Sequence, residues 1–251
     1  MAPEPGPFPS RTGRGLLRPA VARRRDSRLR APEADLSAYR LVVAPASYLL
    51  TAAAAENLRR YVERGGTLVV SYFSGIVDEH DAVHPGGFGA PLREVLGLTI
   101  EEFLPLRATE RVELDVPGLT GDVWADDISL EGAAVVARYV DGPAAGRPAI
   151  TRNSFGAGTA WYVSTRLSVE DLATVFSSGY RDAGIVPPEL PDEVEVVRRH
   201  GAAADYVVAI NHSDDAIALP FEGVDLLSSE LDKPGVHTVP AGGVSVLRMV
   251  R

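Results

Sequence analysis

The chain has 251 residues, 45% of them apolar, with no cysteine and a formal charge of −9. That length and apolar content suffice for a medium α/β domain plus something smaller, and the missing cysteines exclude disulfides, thiolate catalysis and cysteine-ligated metals. The longest apolar runs, at 41–45 and 68–73, fall far short of the roughly 20 residues a membrane-spanning helix needs, so no membrane partner is expected.

Charge is spread unevenly. Residues 1–35 carry eight arginines against four acids, which leaves −13 for the rest. An acidic body has no electrostatic reason to bind nucleic acid, whose affinity comes largely from Lys and Arg on phosphates; no nucleic-acid partner is expected, and only the arginine arm could supply one. Residues 1–8 place prolines and a glutamate where a secretory signal needs a basic start and an apolar stretch, which points to a cytoplasmic protein. Without a sustained apolar period, 1–35 reads as a disordered Arg/Pro-rich segment.

From Leu36 the character changes. LVVAP at 41–45 is a short buried strand, and Thr51 caps a helix through Arg64 that ends at Gly65 and Gly66. Ala54, Leu58, Tyr61 and Val62 fall on its inner face. TLVVSYF at 67–73 follows as a second buried strand, completing a βαβ unit. Such units carry their functional loops at the carboxyl ends of the strands, here 46–49 and 74–89.

A short helix at 91–96 leads to strand-like stretches at 111–115 and 135–140, with the run 124–131 ambiguous between them. Strands at 148–152 and 159–165 flank SFGAG, a turn of hairpin length. Ser168 caps a second long helix with Asp171 three residues on, turns Leu172, Val175, Phe176 and Tyr180 inward, and stops at Gly184. The proline-rich 187–193 reads as a linker. Beyond it, short alternating runs over 194–251 predict a small antiparallel sheet. The domain division is therefore 36–186, a linker at 187–193, and 194–251.

The most chemical-looking stretch is the loop after the second strand, with Asp78, Glu79, His80, Asp81 and His84. These types can ligate metals or move protons, yet four consecutive residues do not readily converge on one point, and polar surface loops also serve solvation. Glycoside hydrolysis requires two carboxyl groups about 5 to 5.5 Å apart for retention, which the neighbours Glu101 and Glu102 do not supply by adjacency. Gly156-Ala157-Gly158 sits in a hairpin turn, not before a helix that would hold a phosphate. Asn211-His212-Ser213 matches a glycosylation acceptor but equally suits a turn closing a strand.

The segment GGTLVVSYFSGIVDEHDAVHPGGFGAPLREVLGL, 65–98, closely resembles the trimerisation domain of family 42 glycoside hydrolases, mostly β-galactosidases. The likeness extends through DLSAYRLVVAPASYLL at 35–50 and ARYVDGPAAGRPAITRNSFGAGTAWYVSTRL at 137–167, and the tail with AINHSD and GVSVLR is similar to the family's C-terminal β domain. It implies an α/β domain of flavodoxin-like or class I glutamine amidotransferase-like fold, followed by a small antiparallel all-β domain. Amidotransferase chemistry is excluded by the missing nucleophilic cysteine.

The resemblance also implies a homotrimer, and it places both catalytic glutamates in a (β/α)8 barrel with no counterpart in this chain. No catalytic, cofactor-binding or metal-binding residue is assigned, and no cofactor is expected. The chain alone is expected to be inactive; hydrolysis of terminal β-D-galactosides with retention, and the galactoside as substrate, belong to a full-length parent. There, Ser74, Asp78, Glu79, Asp81 and His84 are expected to face the barrel. The alternative is a standalone carbohydrate-binding or regulatory module. Residues 1–32, rich in Arg, Pro, Ala and Gly, do not resemble the end of a barrel and are expected to reflect a frame change or a misplaced start.

Overall fold

A computed structural model describes residues 28–186, 191, 193–227 and 235–249. Most of the arginine arm and of the proline-rich linker lies outside them. The chain divides into two units, one built on Arg30–Ile185 and one on Val186–Arg251.

In the first unit, β1 (Leu41–Ala44) and β2 (Thr67–Ser71) pair in parallel, Leu41 opposite Thr67. Between them runs α1 (Ala52–Glu63), where the Thr51 hydroxyl accepts the Ala54 amide and Ala54, Ala55, Leu58, Tyr61 and Val62 are buried. The expected inner face is thus present, widened by Ala55. All of β2 is buried, as the uninterrupted run Leu68, Val69, Val70 requires when both faces of a sheet are covered.

The next neighbour of β2 is β9 (Gly158–Val163), also parallel; β8 (Pro148–Phe155) and β7 (Ala134–Arg138) follow antiparallel, giving the order β1-β2-β9-β8-β7. The β8–β9 hairpin turns on Gly156 and Ala157, with Gly156 at φ 57°.

Side chains alternate across this mixed sheet. On one face Val69, Ile150, Trp161 and Val163 meet Leu172, Val175, Phe176 and Tyr180 of α3 (Val169–Asp182). On the other, Leu68, Val70, Ala160 and Tyr162 meet α1 and the short α2 (Arg93–Leu96), which continues a single 3₁₀ turn at Ala90–Leu92. The Ser168 hydroxyl accepts the Asp171 amide and caps α3 as its sequence predicts.

Two smaller sheets complete the unit. β3 (Leu98–Pro105) and β6 (Trp124–Leu130) form an antiparallel ribbon with an irregularity between Ile100 and Glu102. β4 (Val112–Glu113), β5 (Thr120–Asp122) and β10 (Arg166–Leu167) form a three-stranded sheet in the order β10-β5-β4. The described chain is therefore mostly strand with few helices, and the five-stranded sheet of this first unit is mixed, not wholly parallel.

The second unit is a five-stranded antiparallel sheet of β11 (Val194–His200), β12 (Asp205–Asn211), β13 (Ile217–Asp225), β14 (Gly235–Val239) and β15 (Val244–Met249), in the order β11-β12-β15-β13-β14. Val194, Val196, Val207, Ala209, Leu219 and Leu247 lie in its core. Asn211 is buried: its amide donates to the Asp215 and Pro240 carbonyls, and its oxygen accepts from Ser213. This residue closes a turn.

Candidate functional site at the carboxyl edge of the mixed sheet

β1 and β2 end side by side, and serine hydroxyls join the loops that leave them. The Ser71 hydroxyl accepts the Ala46 amide at 2.7 Å; that of Ser74 accepts the Ser47 amide at 2.9 Å and donates to the Ser71 carbonyl at 2.8 Å. Ser74 is buried and acts as a pin between the loops. Further on, the Leu50 amide donates to the Val77 carbonyl, and the His84 amide to that of Ile76.

The predicted residues separate by role. One oxygen of Asp78 accepts the amides of His80 and Ala82 at 2.8 and 3.0 Å, and these backbone donors, Ala82 first, hold its carboxyl below the usual aspartate range. His84 turns inward and donates from Nε2 to the Leu50 carbonyl at 2.9 Å. Glu79, His80 and Asp81 are exposed, with Asp81 at φ 60° accepting from the Tyr48 hydroxyl at 3.3 Å. The five side chains do not converge on a centre, and among the described residues no group of three or more His, Asp or Glu is placed to hold a metal.

What the sequence did not reveal is an aromatic cluster beside this loop. Tyr48 stacks on Phe73 with ring centroids 5.2 Å apart, Phe73 meets Trp124 edge-on at 5.1 Å, Trp124 meets Phe103 at 5.1 Å, and Phe103 stacks on Phe88 at 3.8 Å. Such pairings contribute beyond simple burial. Phe73 has φ 61°, a conformation bulky residues rarely adopt unless their surroundings impose it. The cluster borders an apolar rim where Leu49 and Val83 are 49% and 59% exposed.

Beneath it lies Asp126 on β6, with no solvent exposure. Its two oxygens accept the Trp124 indole N–H and the Tyr162 hydroxyl, each at 2.7 Å. Burial pushes its carboxyl up to about 7, and the two hydrogen bonds oppose that rise. Glu101 and Glu102 sit exposed at the irregularity in β3, so neither lines a cleft with Asp126. The edge offers packing surface and fixed turns.

A family model described as the β-galactosidase trimerisation domain matches residues 24–186, and one described as the β-galactosidase C-terminal domain matches 193–249. The β-galactosidase BglY of Alicyclobacillus acidocaldarius is 39% identical over 229 residues, and BgaB of a Geobacillus strain is 37% identical over 224; each match covers 86% of this chain and 33% of the relative. The β-galactosidase structure from Bacillus circulans sp. alkalophilus superposes with a TM-score of 0.89 at 29% identity, covering 100% of this chain and 39% of that one. That of Rahnella sp. R3 gives 0.84 at 28%, covering 99% and 38%. The chain spans about a third of the length of the curated relatives it matches. It belongs to the family 42 β-galactosidases, of which it carries the trimerisation domain followed by the C-terminal domain.

Proposed function

We propose that this chain is the assembly portion of a β-galactosidase: residues 36–186 associate as a homotrimer, 187–193 link them to the β domain at 194–251, and hydrolysis of terminal β-D-galactosides with retention is the reaction of the full-length enzyme. The observation that carries the reading is the succession of two family-42 domain models over 24–249. The helix-linked parallel pair β1–β2, with β9 beside it, supports a flavodoxin-like or class I glutamine amidotransferase-like origin for the first domain. A cytoplasmic site of action fits the cysteine-free sequence.

The loop bearing Ser74, Asp78, Glu79, Asp81 and His84 is the part we assign to face the barrel. Its place at the carboxyl edge and the exposed Tyr48, Leu49 and Val83 around it support this. Ser74, Asp78 and His84 shape the loop, and Glu79 and Asp81 are presented. Galactoside is a partner of the full-length enzyme, and neither nucleic acid nor membrane is a partner of the acidic body.

Light scattering on the purified chain, with an assay on a chromogenic β-galactoside, tests this. A three-chain mass without turnover is expected. Turnover by the chain alone, or a monomer at micromolar concentration, overturns it. In a full-length relative, replacing the residues aligned with Asp78 or Asp81 should change the kinetics, and unchanged kinetics would remove the barrel-facing assignment.

A further inference from the structure

Among the described residues no cation lies at hydrogen-bond distance from Asp126, unusual for a carboxylate without exposure. The groups around it are neutral or committed elsewhere. Tyr139, just after β7, shares its hydroxyl with Ser164 at 2.7 Å, and Phe103, opposite Asp126 on β3, brings no charge. The next residue, Asp127, pairs with Arg147 at 2.9 Å, and Arg111 and Arg166 pair with Asp122 at 3.2 and 2.5 Å. Tyr72, after β2, stacks near Trp124 at 6.1 Å.

Its two donors are chemically unequal. Indole N–H can only donate, so Oδ1 must remain an acceptor in every state. The Tyr162 hydroxyl can donate or accept. A proton arriving from solvent on Oδ2 is therefore accommodated if the hydroxyl reverses, so that the carboxyl O–H donates to Tyr162 while Trp124 keeps its bond.

We propose that Asp126 is a proton-responsive latch between the β3–β6 ribbon and the mixed sheet, binding and releasing one proton on Oδ2 and thereby changing how firmly Trp124 is held. When ionised it makes two charge-assisted hydrogen bonds, which weaken to neutral ones on protonation. With its carboxyl raised to about 7 by burial, the exchange falls within the range a cell visits. Trp124 touches Phe73 and Phe103, so the change reaches the aromatic cluster whatever covers that cluster.

The chain has two tryptophans, so Trp161→Phe leaves Trp124 as the sole indole reporter. Its emission should follow a one-proton curve between about pH 5 and 9, centred near neutrality. The curve should vanish in the Trp161→Phe/Asp126→Asn variant and shift to higher pH with Trp161→Phe/Tyr162→Phe, which deprives the ionised form of a donor. A flat profile overturns the proposal, as does a curve that survives Asp126→Asn. Should Trp161→Phe not fold, difference infrared spectra of the unaltered chain between the same limits decide: a buried protonated-carboxyl band that fades with rising pH and is missing in Asp126→Asn is expected, and no such band overturns the latch.

Discussion

The amide of Ala157 donates to the carbonyl of Glu63 at 2.9 Å, seating the tip of the β8–β9 hairpin on the last turn of α1. Neighbouring Gly158 fits there because it lacks a side chain: a Cβ would lie 2.1 Å from the Val62 carbonyl oxygen and 2.4 Å from that of Gly66. Both obstacles are backbone. Gly158→Ala should therefore cost about 2 kcal/mol or more, measured by urea unfolding. A loss below about 1 kcal/mol would mean that the hairpin can lift off the helix. The same contact occupies the Ala157 amide in the Gly-Ala-Gly stretch, so that amide is not free to hold a phosphate.

Asp126 predicts a slope of stability against pH. Its folded carboxyl titrates at about 7 and an unperturbed one at 3.8, so between those values the folded state holds a proton the unfolded state has lost. Stability from this group consequently falls as pH rises through that window, by a few kcal/mol in total. Asp126→Asn should flatten the slope, seen by comparing urea midpoints near pH 5 and 8. Equal pH dependence in both proteins would contradict the assignment. Asp78, with its lowered carboxyl, acts oppositely: its contribution is present above the ordinary aspartate value and is lost as pH falls through the folded one.

Val123 holds φ 68° between β5 and β6, a conformation that penalises a β-branched side chain. Its carbonyl accepts the Leu106 amide, a bond glycine retains. Val123→Gly should leave stability unchanged or raise it by about 1 kcal/mol, read as the thermal midpoint. A clear drop would show that the valine side chain contributes more packing than its backbone loses in strain.

Within the loop after β2, Ser74→Ala should cost about 1 to 2 kcal/mol, because the half-buried Ser47 amide loses its acceptor. Glu79→Gln, on an exposed residue, should stay within about 0.5 kcal/mol. Denaturant titrations of both variants separate the residue that builds the loop from the one it presents.

Elements with local signals were legible in the sequence. Thr51 and Ser168 announced α1 and α3, because a cap and an apolar period lie within a few residues of each other. The β3–β6 ribbon was not, since its irregularity at Ile100 and Glu102 leaves two adjacent glutamates exposed and breaks the alternation that marks a strand. In β6, Ala125 and Asp126 are both fully buried in succession, so the polar pair at 126–127 disguised a core position. The loop at 74–89 could be located from strand polarity, whereas the cluster beside it draws Tyr48, Phe73, Phe88, Phe103 and Trp124 from separate segments, and no window of sequence contains them together.

The position of β9 between β2 and β8 bears on how the protein is made. A ribosome releases β1, α1 and β2 long before it reaches Gly158, and until then β2, with Leu68, Val69 and Val70 at its centre, has an open edge ready to pair with any available strand. Closing it means waiting for the ribbon, β4, β5, β7 and β8, a high-separation contact of the kind that slows folding. A break in the chain between β2 and β9 would leave two pieces, one with an uncovered sheet edge and the other with the strand that fits it.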